Sequence, residues 1–187
     1  MKKKDNDKRL FIAIELPENV KKEINRIQRL LKQKDLFSGN YVDSQHAHLT
    51  LKFLGQVDES LIPEIKKRLQ TIKHRPMRAR LSNLDFFKSR AKTPKVIFIN
   101  VECPELVDLA KQINDALSDL FEPESRPFVT HVTIARIKGI HDYAVFSDFI
   151  KTVNVEPLEF DITSFIIKFS ILTSNGPIYT DIEIYTL

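Results

Sequence analysis

The segment His48-Leu49-Thr50-Leu51-Lys52-Phe53-Leu54-Gly55 has a counterpart in His131-Val132-Thr133-Ile134-Ala135-Arg136, 83 residues further along the chain. Each copy begins with an alternation of polar and apolar residues, which is typical of a β-strand with one face in a core. The histidine and the threonine of each copy therefore share one face of their strand. A motif that recurs at this distance indicates an internal repeat.

The same order of elements surrounds both motifs. In the first half, the residue patterns predict a strand, a helix, the motif strand, a second helix and an extended segment, at residues 9–14, 17–31, 48–55, 61–72 and 79–86. The second half repeats that order and adds a closing strand, at residues 95–101, 104–120, 131–136, 143–153, 160–172 and 178–185. Both motifs therefore hold the same place in a duplicated unit.

These patterns predict an α+β fold. We expect residues 1–187 to form a single compact bilobal domain, with an internal repeat over approximately residues 9–87 and 95–187. Each of the two pseudo-symmetric lobes should be a small, mostly antiparallel sheet with helices on its outer face, and the motifs should line a central groove. No Ser/Gly-rich linker separates the halves, so the lobes should pack against each other.

Composition limits the class of protein. Of the 187 residues 42% are apolar, enough for a folded core, and the single cysteine, Cys103, excludes an intrachain disulfide and a cysteine cluster for zinc. With 4 glycines and no GxxxxGK[ST] or GxGxxG pattern, a glycine-rich phosphate loop is excluded as well. The net charge of +4 suits a partner that carries phosphate.

The N-terminus and the hydropathy pattern indicate where in the cell the protein is expected. Residues 1–9 are charged and lead into a short apolar stretch, without the longer apolar region and small-residue cleavage site of a signal peptide. No apolar run is long enough to span a bilayer. We therefore expect a cytoplasmic protein without a membrane partner, and we expect it to be a monomer.

Two histidines and two threonines on strand faces suit chemistry at phosphorus. Displacement at phosphorus needs a base on one side and an acid on the other, and histidine serves as either because its pKa lies near neutral pH. Threonine hydroxyls can donate hydrogen bonds to the non-bridging oxygens, where negative charge must be accommodated. One such motif alone would more often be a solvated strand face. Its duplication favours His48 and His131 as catalytic residues, with Thr50 and Thr133 as phosphate contacts.

A cation is also expected near the phosphate. Arg136 can grip phosphate with two hydrogen bonds, but strict alternation puts it on the face opposite His131, so it would have to follow a bulge or the strand end. Lys52 alternates in step with His48 and is the second candidate, although an ordinary exposed lysine would explain it equally well. Both are candidate substrate-binding residues.

Five segments of the chain, taken in order, resemble a known family. They are RLFIAIELP at residues 9–17, HLTLKFLG at 48–55, RPF at 126–128, HVTIAR at 131–136 and SNGPIY at 174–179. Over essentially the whole chain this set is similar to the RNA 2′,3′-cyclic phosphodiesterases, also called 2′-5′ RNA ligases, of the two-histidine phosphoesterase superfamily. Each segment alone carries little information, and the ordered set is specific.

The resemblance implies a bilobal fold in which the two motifs face each other across a groove. It also implies hydrolysis of RNA 2′,3′-cyclic phosphate ends to 2′-phosphates without a metal ion or another cofactor, and reversible ATP-independent 2′-5′ ligation. By motif, His48 would protonate the departing 3′ oxygen and His131 would activate water. The phosphate would be held by Thr50, Thr133 and Arg136. The implied partners are RNA ends with a cyclic phosphate, and tRNA fragments are one candidate source.

Aromatic residues are candidates to contact a base. The family often has an aromatic residue, commonly tryptophan, shortly before the first motif, and Tyr41 stands near that place here. Tyr41, Phe11 and Phe128 are therefore candidates for stacking, as aromatic residues are in proteins that bind single-stranded RNA. For Phe11 and Phe128 a place in the core is the stronger expectation. Ahead of the second motif stands Thr130, where the family often has proline.

Three other functions remain open from the sequence. A metal enzyme is suggested by His46, two residues before His48, and by the nearby Asp43, although catalytic zinc normally takes three protein ligands and the second motif would go unexplained. A binding module for RNA or nucleotides would keep the same residues without turnover. The third possibility is the same chemistry on a small cyclic nucleotide, which the length of the groove would decide.

Overall fold

A computed structural model describes residues 7–122, 126–173 and 176–187 of the chain. Ser174 and Asn175, the first two residues of the SNGPIY segment, lie outside the described residues. Within the described ranges the chain forms an antiparallel nine-stranded sheet and four α-helices. The predicted α+β class is therefore confirmed.

The strands and helices follow the predicted order, with one additional strand in each half. The strands are β1 (Asp7–Glu15), β2 (Phe37–Tyr41), β3 (His48–Asp58), β4 (Met77–Lys88), β5 (Pro94–Glu102), β6 (His131–Ile140), β7 (Glu159–Ile162), β8 (Ser164–Thr173) and β9 (Gly176–Thr186). The helices are α1 (Glu18–Lys34), α2 (Ile62–Leu69), α3 (Glu105–Ala116) and α4 (Tyr143–Thr152). The short strand β2 was not predicted, and the single strand predicted over residues 160–172 is divided into β7 and β8.

The sheet consists of two halves that meet at the motif strands. Its order is β7-β4-β5-β6-β3-β1-β8-β9, with β2 paired to β6. We call β3, β1, β8 and β9 the His48 half-sheet, and β6, β5, β4, β7 and β2 the His131 half-sheet. Strands β3 and β6 pair in antiparallel register where Leu49 lies opposite Val132. The two sheets of the predicted lobes are therefore joined into one.

The two units of the repeat are interleaved in space. Strand β4 belongs to the first half of the sequence but pairs with β5, whereas β8 and β9 from the second half extend the His48 half-sheet. The helices cross in the same way. Helix α1 follows β1, yet its Gln28 amide donates to the Ile134 carbonyl of β6 (2.9 Å), and α3 follows β5, yet its Asn114 accepts a bond from Lys52 of β3. Each half-sheet thus draws elements from both halves of the chain.

A β-bulge interrupts alternation in β6. Thr133 pairs with Phe98 and Ala135 pairs with Ile97, which leaves Ile134 as an additional residue on its strand. Ile134 and Ala135 are consequently both buried, although they are neighbours in sequence. Past this point the alternation is reversed, and Arg136 returns to the face that carries the histidine and the threonine of the motif.

The same bulge occurs at the same place in β3. Thr50 pairs with Ala13 and Lys52 pairs with Ile12, which leaves Leu51 as the additional residue. From the first motif residue onward, β3 and β6 have the same sequence of burial over nine residues. Phe53 is therefore the counterpart of Arg136, and Lys52 the counterpart of the buried Ala135.

The core lies between the sheet and the helices. Helix α1 buries the apolar stripe expected from the sequence, formed by Val20, Ile24, Ile27 and Leu31. Helix α3 does the same with Leu106, Leu109 and Ile113. Leu49 and Val132, the middle residues of the two motifs, are fully buried beneath this layer. The histidines and threonines of the motifs therefore lie on the other face of the sheet, away from the four described helices.

Over the described residues, none of the helices combines the length and the apolar character needed to cross a bilayer.

Candidate active site

The two motifs lie side by side on the face of the sheet that points away from the helices. Because β3 and β6 are antiparallel and Leu49 is opposite Val132, His48 faces Thr133 across the strands and His131 faces Thr50. The histidines are thus diagonal to each other, and each has the other motif's threonine as its cross-strand neighbour. The arrangement differs from the expected one, in which the motifs of two separate sheets face each other across a groove, because here one continuous sheet carries both motifs.

Backbone carbonyl groups fix the tautomer of both histidines. His48 Nδ1 lies 2.8 Å from the His46 carbonyl oxygen, and His131 Nδ1 lies 2.7 Å from the Val129 carbonyl oxygen. A carbonyl oxygen only accepts, so in each ring Nδ1 carries the donated hydrogen. In both neutral imidazoles Nε2 is therefore left with a lone pair, and it is the atom that can take up or release a proton.

Burial lowers the pKa of both histidines below its ordinary value. The nearby positive charge of Arg136 lowers both pKa values further, and Lys168 lowers that of His48 alone. The hydrogen bonds to the backbone carbonyl groups raise both pKa values, and the negative charge of Glu15 raises that of His48. In the absence of substrate, both rings are therefore neutral at pH 7. A bound phosphate anion would raise both pKa values and permit one ring to hold the proton that an acid must supply.

Arg136 lies on the same face as the motifs. The bulge at Ile134 resolves the difficulty that strict alternation raised, because it turns the next exposed side chain of β6 toward the histidines. The guanidinium is exposed, and its charge acts on His48, His131 and Tyr179 alike. An exposed guanidinium on this face can approach a phosphate held between the histidines.

Lys52 is on the other face of the sheet, so the expectation that it binds substrate is wrong. The side chain is 3% exposed, and its Nζ donates to Asn114 Oδ1 of α3 at 2.5 Å. The cause is the bulge at Leu51, which shifts Lys52 out of step with His48. Its ammonium group stabilises the contact between sheet and helix.

Tyr41 does not lie beside the motifs either, and its expected role in stacking on a base is corrected accordingly. It pairs with the buried Ala135, lies 5.5 Å from the ring of Phe37 and has Lys32 Nζ of α1 4.8 Å from its ring centroid. Burial raises the pKa of its hydroxyl to about 12. Tyr41 therefore packs between β2 and α1.

Two further candidate aromatic residues are also packed inside. Phe11 is 3% exposed and lies 4.8 Å from the ring of His48, so it packs against that imidazole. Phe128 is partly buried against the core. Phe53, the counterpart of Arg136, is an exposed aromatic residue of the motif face, with 57% of its surface accessible.

The residues around His48 include several that the sequence did not single out. Tyr179 of β9 lies 5.3 Å from the His48 ring and nearly perpendicular to it. Lys168 of β8 is buried, and its Nζ forms ion pairs with Glu15 of β1 and Asp181 of β9. Tyr179 belongs to the SNGPIY segment and Glu15 to the RLFIAIELP segment, whereas nothing local marks Lys168 and Asp181.

The surroundings of His131 are aromatic. Phe87 of β4 lies 4.8 Å from the His131 ring, and Phe98 of β5 lies 5.2 Å from it. The two phenyl rings stack on each other at 4.1 Å. These rings exclude water from one side of the imidazole, which agrees with burial as the main cause of its lowered pKa.

His46 and Asp43, the residues behind the metal hypothesis, lie in the turn before β3. His46 Nδ1 is 3.8 Å from Asp43 Oδ2, and the nitrogen of His48 on that side is occupied by the His46 carbonyl group. Among the residues that the structure describes, no group of three or more histidine, cysteine, aspartate or glutamate side chains is arranged to hold a metal ion.

Comparisons with known proteins identify relatives along the whole chain. Residues 14–98 match the family model described as LigT like Phosphoesterase. The chain is 36% identical over 176 residues to the RNA 2′,3′-cyclic phosphodiesterase of Methanocaldococcus jannaschii, covering 94% of this chain and 98% of that protein. It is 35% identical over 175 residues to the protein of the same name from Aquifex aeolicus, covering 89% and 92%.

Solved structures agree on the fold. The protein TT0787 of Thermus thermophilus superimposes with a TM-score of 0.77 at 28% identity and covers 96% of this chain and 97% of its own. Escherichia coli LigT complexed with 3′-AMP also gives a TM-score of 0.77, at 21% identity, with coverage of 97% and 98%.

Proposed function

We propose that this chain, which belongs to the LigT-like phosphoesterase family, hydrolyses 2′,3′-cyclic phosphate ends of RNA to 2′-phosphomonoesters by acid–base catalysis with His48 and His131. The observation that carries the proposal is the pair of motifs side by side on an open sheet face, each with Nε2 as its reactive atom. The full-length similarity to enzymes named RNA 2′,3′-cyclic phosphodiesterase supports the choice of substrate.

The reaction divides between the two histidines. His131 Nε2 takes a proton from water as the water oxygen attacks phosphorus, and His48 Nε2 gives a proton to the 3′ oxygen as its bond to phosphorus breaks. The 2′ ester bond remains, so the product is a 2′-phosphate. His131 ends protonated and His48 neutral, and exchange with solvent restores both for the next turnover.

The phosphate is held by hydroxyl and guanidinium groups. The Thr50 and Thr133 hydroxyls, cross-strand neighbours of the two histidines, donate to the non-bridging oxygens. Arg136 adds a positive charge on the same face. Together these donors supply the stabilisation of charge that a metal ion provides in other phosphodiesterases, so the proposed reaction needs no metal or nucleotide cofactor.

The same arrangement supports joining of RNA ends. If the 5′-hydroxyl of another RNA replaces water, the attack that His131 assists yields a 2′-5′ linkage, with no ATP consumed. The reverse reaction uses the same two histidines with exchanged roles. We further propose that the enzyme acts as a monomer in the cytoplasm and that tRNA fragments are among its substrates.

The test is hydrolysis of a short RNA that ends in a 2′,3′-cyclic phosphate, with excess EDTA, by wild type, His48→Ala, His131→Ala and the control His74→Ala. We expect wild type and control to form the 2′-phosphate, and each motif variant to lose about 10²–10⁴-fold in rate. Activity that EDTA abolishes would indicate a metal enzyme. RNA bound without turnover would indicate a binding module, and turnover of small cyclic nucleotides alone would indicate a different substrate.

A further inference from the structure

A cavity of about 390 Å³ opens beside His48 and takes no part in the proton transfers described above. Its lining includes Tyr179, Lys168, Glu15 and Asp181 as well as the ring of His48 itself. Its volume is in the range of small-molecule pockets, which runs from roughly 300 to 1,000 Å³. The cavity is therefore large enough to hold part of a substrate whose reacting group lies at His48.

The corresponding place beside His131 is filled by aromatic rings. Phe87 is the counterpart of Lys168, because each lies two strands away from the motif strand at the same register. Phe87 stacks on Phe98 and packs against His131. If the neighbours of each histidine served only proton transfer, the two histidines would be expected to have similar neighbours. The cavity beside His48, where the His131 side has packed rings, favours a role in substrate recognition.

The polar groups of the cavity select the kind of partner that fits it. Lys168 is 6% exposed and lies between two carboxylates, with Asp181 Oδ1 at 2.6 Å and Glu15 as the other partner. Asp181 is about half exposed and lines the cavity, and the hydrogen bond that it accepts from Lys168 goes to Oδ1. A phosphate here would meet both carboxylates and be repelled. A neutral group that donates hydrogen bonds would be bound.

The reaction places such a group at this position, and this step rests on the proposed function. If His48 protonates the 3′ oxygen, the ribose of the terminal nucleotide lies on the His48 side of the phosphorus atom. The base of that nucleotide is then the nearest neutral, donor-bearing group. Tyr179, whose ring stands nearly perpendicular to those of His46 and His48, offers an aromatic wall to it.

We propose that this cavity is the subsite for the terminal base and that Asp181 Oδ2 accepts a hydrogen bond from an exocyclic amino group of that base. Cytosine presents an amino group where uracil presents a carbonyl oxygen, and a carboxylate accepts from the first but repels the second. RNA that ends in cytidine cyclic phosphate is therefore a better substrate than RNA that ends in uridine cyclic phosphate.

Asp181→Asn tests this directly, because asparagine keeps Oδ1 for Lys168 and replaces Oδ2 by an amide that donates. The measurement is kcat/KM for two short RNAs that differ only in a terminal cytidine or uridine cyclic phosphate. We expect wild type to favour cytidine by about 10-fold, and Asp181→Asn to abolish or reverse that ratio. The matched control is Asp85→Asn, which removes an exposed carboxylate from β4 in the His131 half-sheet and should leave the ratio at the wild-type value.

Inhibition by cytidine 2′-phosphate and uridine 2′-phosphate gives a second measurement that does not depend on turnover. The inhibition constants should show the same preference in wild type and the same loss in Asp181→Asn. An equal kcat/KM of wild type for the cytidine and uridine RNAs would overturn the proposed base subsite. A cytidine-to-uridine ratio that Asp181→Asn leaves unchanged would overturn it as well. Base-free ribose 2′,3′-cyclic phosphate distinguishes failure of the base subsite from failure of the proposed function. If wild type opened neither this compound nor the two RNAs, the proposed function itself would be overturned.

Discussion

Both histidines have aromatic neighbours, but His48 also has the charged groups of Lys168 and Glu15 beside it, whereas the corresponding place beside His131 holds the phenyl ring of Phe87. His48 has Glu15 as its partner across the strands and Lys168 close to its ring, and the equivalent positions beside His131 are Asn100 and Phe87. The backbone plan of the two sides is the same, including the position of the bulge. One framework thus supports two different environments.

The difference shows how two identical motifs can take different roles. Both rings are neutral without substrate, because burial lowers the pKa of each. Charged groups beside His48 can adjust its pKa independently, through Lys168 and Glu15, whereas Arg136 acts on both rings together. The two rings can therefore differ in proton affinity, although their motifs are alike.

The largest effect among single changes outside the histidines is expected for Arg136→Gln. Loss of the guanidinium should lower kcat/KM by about 10²-fold, because one preorganised donor to the phosphate is removed. Removal of its charge also raises the pKa of both histidines, so both limbs of the bell-shaped pH profile of kcat/KM should move to higher pH. A profile in which one limb alone moves would show that Arg136 serves one side only.

The threonines provide the next test, since they occupy equivalent places in the two environments. Thr50→Val and Thr133→Val each remove one hydroxyl that donates to a charged oxygen, which should lower kcat/KM by roughly 10-fold or more. Steady-state kinetics on the same RNA compares the two variants. An effect at one threonine alone would mean that the phosphate is held by one half-sheet.

Lys168→Met should change the His48 side without changing the His131 side. The charge of Lys168 lowers the pKa of His48, so its removal raises that pKa, and one limb of the pH profile should move to higher pH while the other stays in place. The pH dependence of kcat/KM between wild type and variant measures this. Two shifted limbs, or none, would contradict the independent control of His48.

Lys52→Ala should have the smallest effect on activity, because Lys52 lies on the helix side of the sheet. We expect an unaltered kcat/KM, together with a loss of stability of about 1–3 kcal/mol from the unpaired acceptor left on Asn114. Urea denaturation measures the second quantity. If turnover fell while stability stayed the same, Lys52 would have to reach the substrate after all.

Local patterns in the sequence were enough to predict the four helices, most of the strands and the face that each histidine occupies. The bulges were the main difficulty, because alternation holds only while neighbouring strands stay in register. In β6 the adjacent apolar residues Ile134 and Ala135 were a visible sign of the break. In β3 the residue after Leu51 is a lysine, so the sequence looked regular and Lys52 was assigned to the wrong face.

The surroundings of the histidines depend on contacts between distant segments. Lys168, Glu15 and Asp181 come together through the pairing of β1, β8 and β9, which no local pattern in the sequence predicts. Tyr41 was misplaced for a similar reason, since β2 pairs with β6 across the repeat and turns the ring toward α1. Gly39 permits that pairing, because a Cβ there would lie 2.3 Å from the Arg136 carbonyl oxygen.

The division of labour between the two histidines is tested most directly with a cyclic phosphate in which sulfur replaces the 3′ oxygen. A thiolate leaves without protonation, so an acid is no longer needed, whereas a base still is. We predict that His48→Ala hydrolyses this substrate at close to the wild-type rate, and that His131→Ala remains slower by about 10²–10⁴-fold. Recovery of His131→Ala instead, or of neither variant, would contradict the assignment of His48 as the acid.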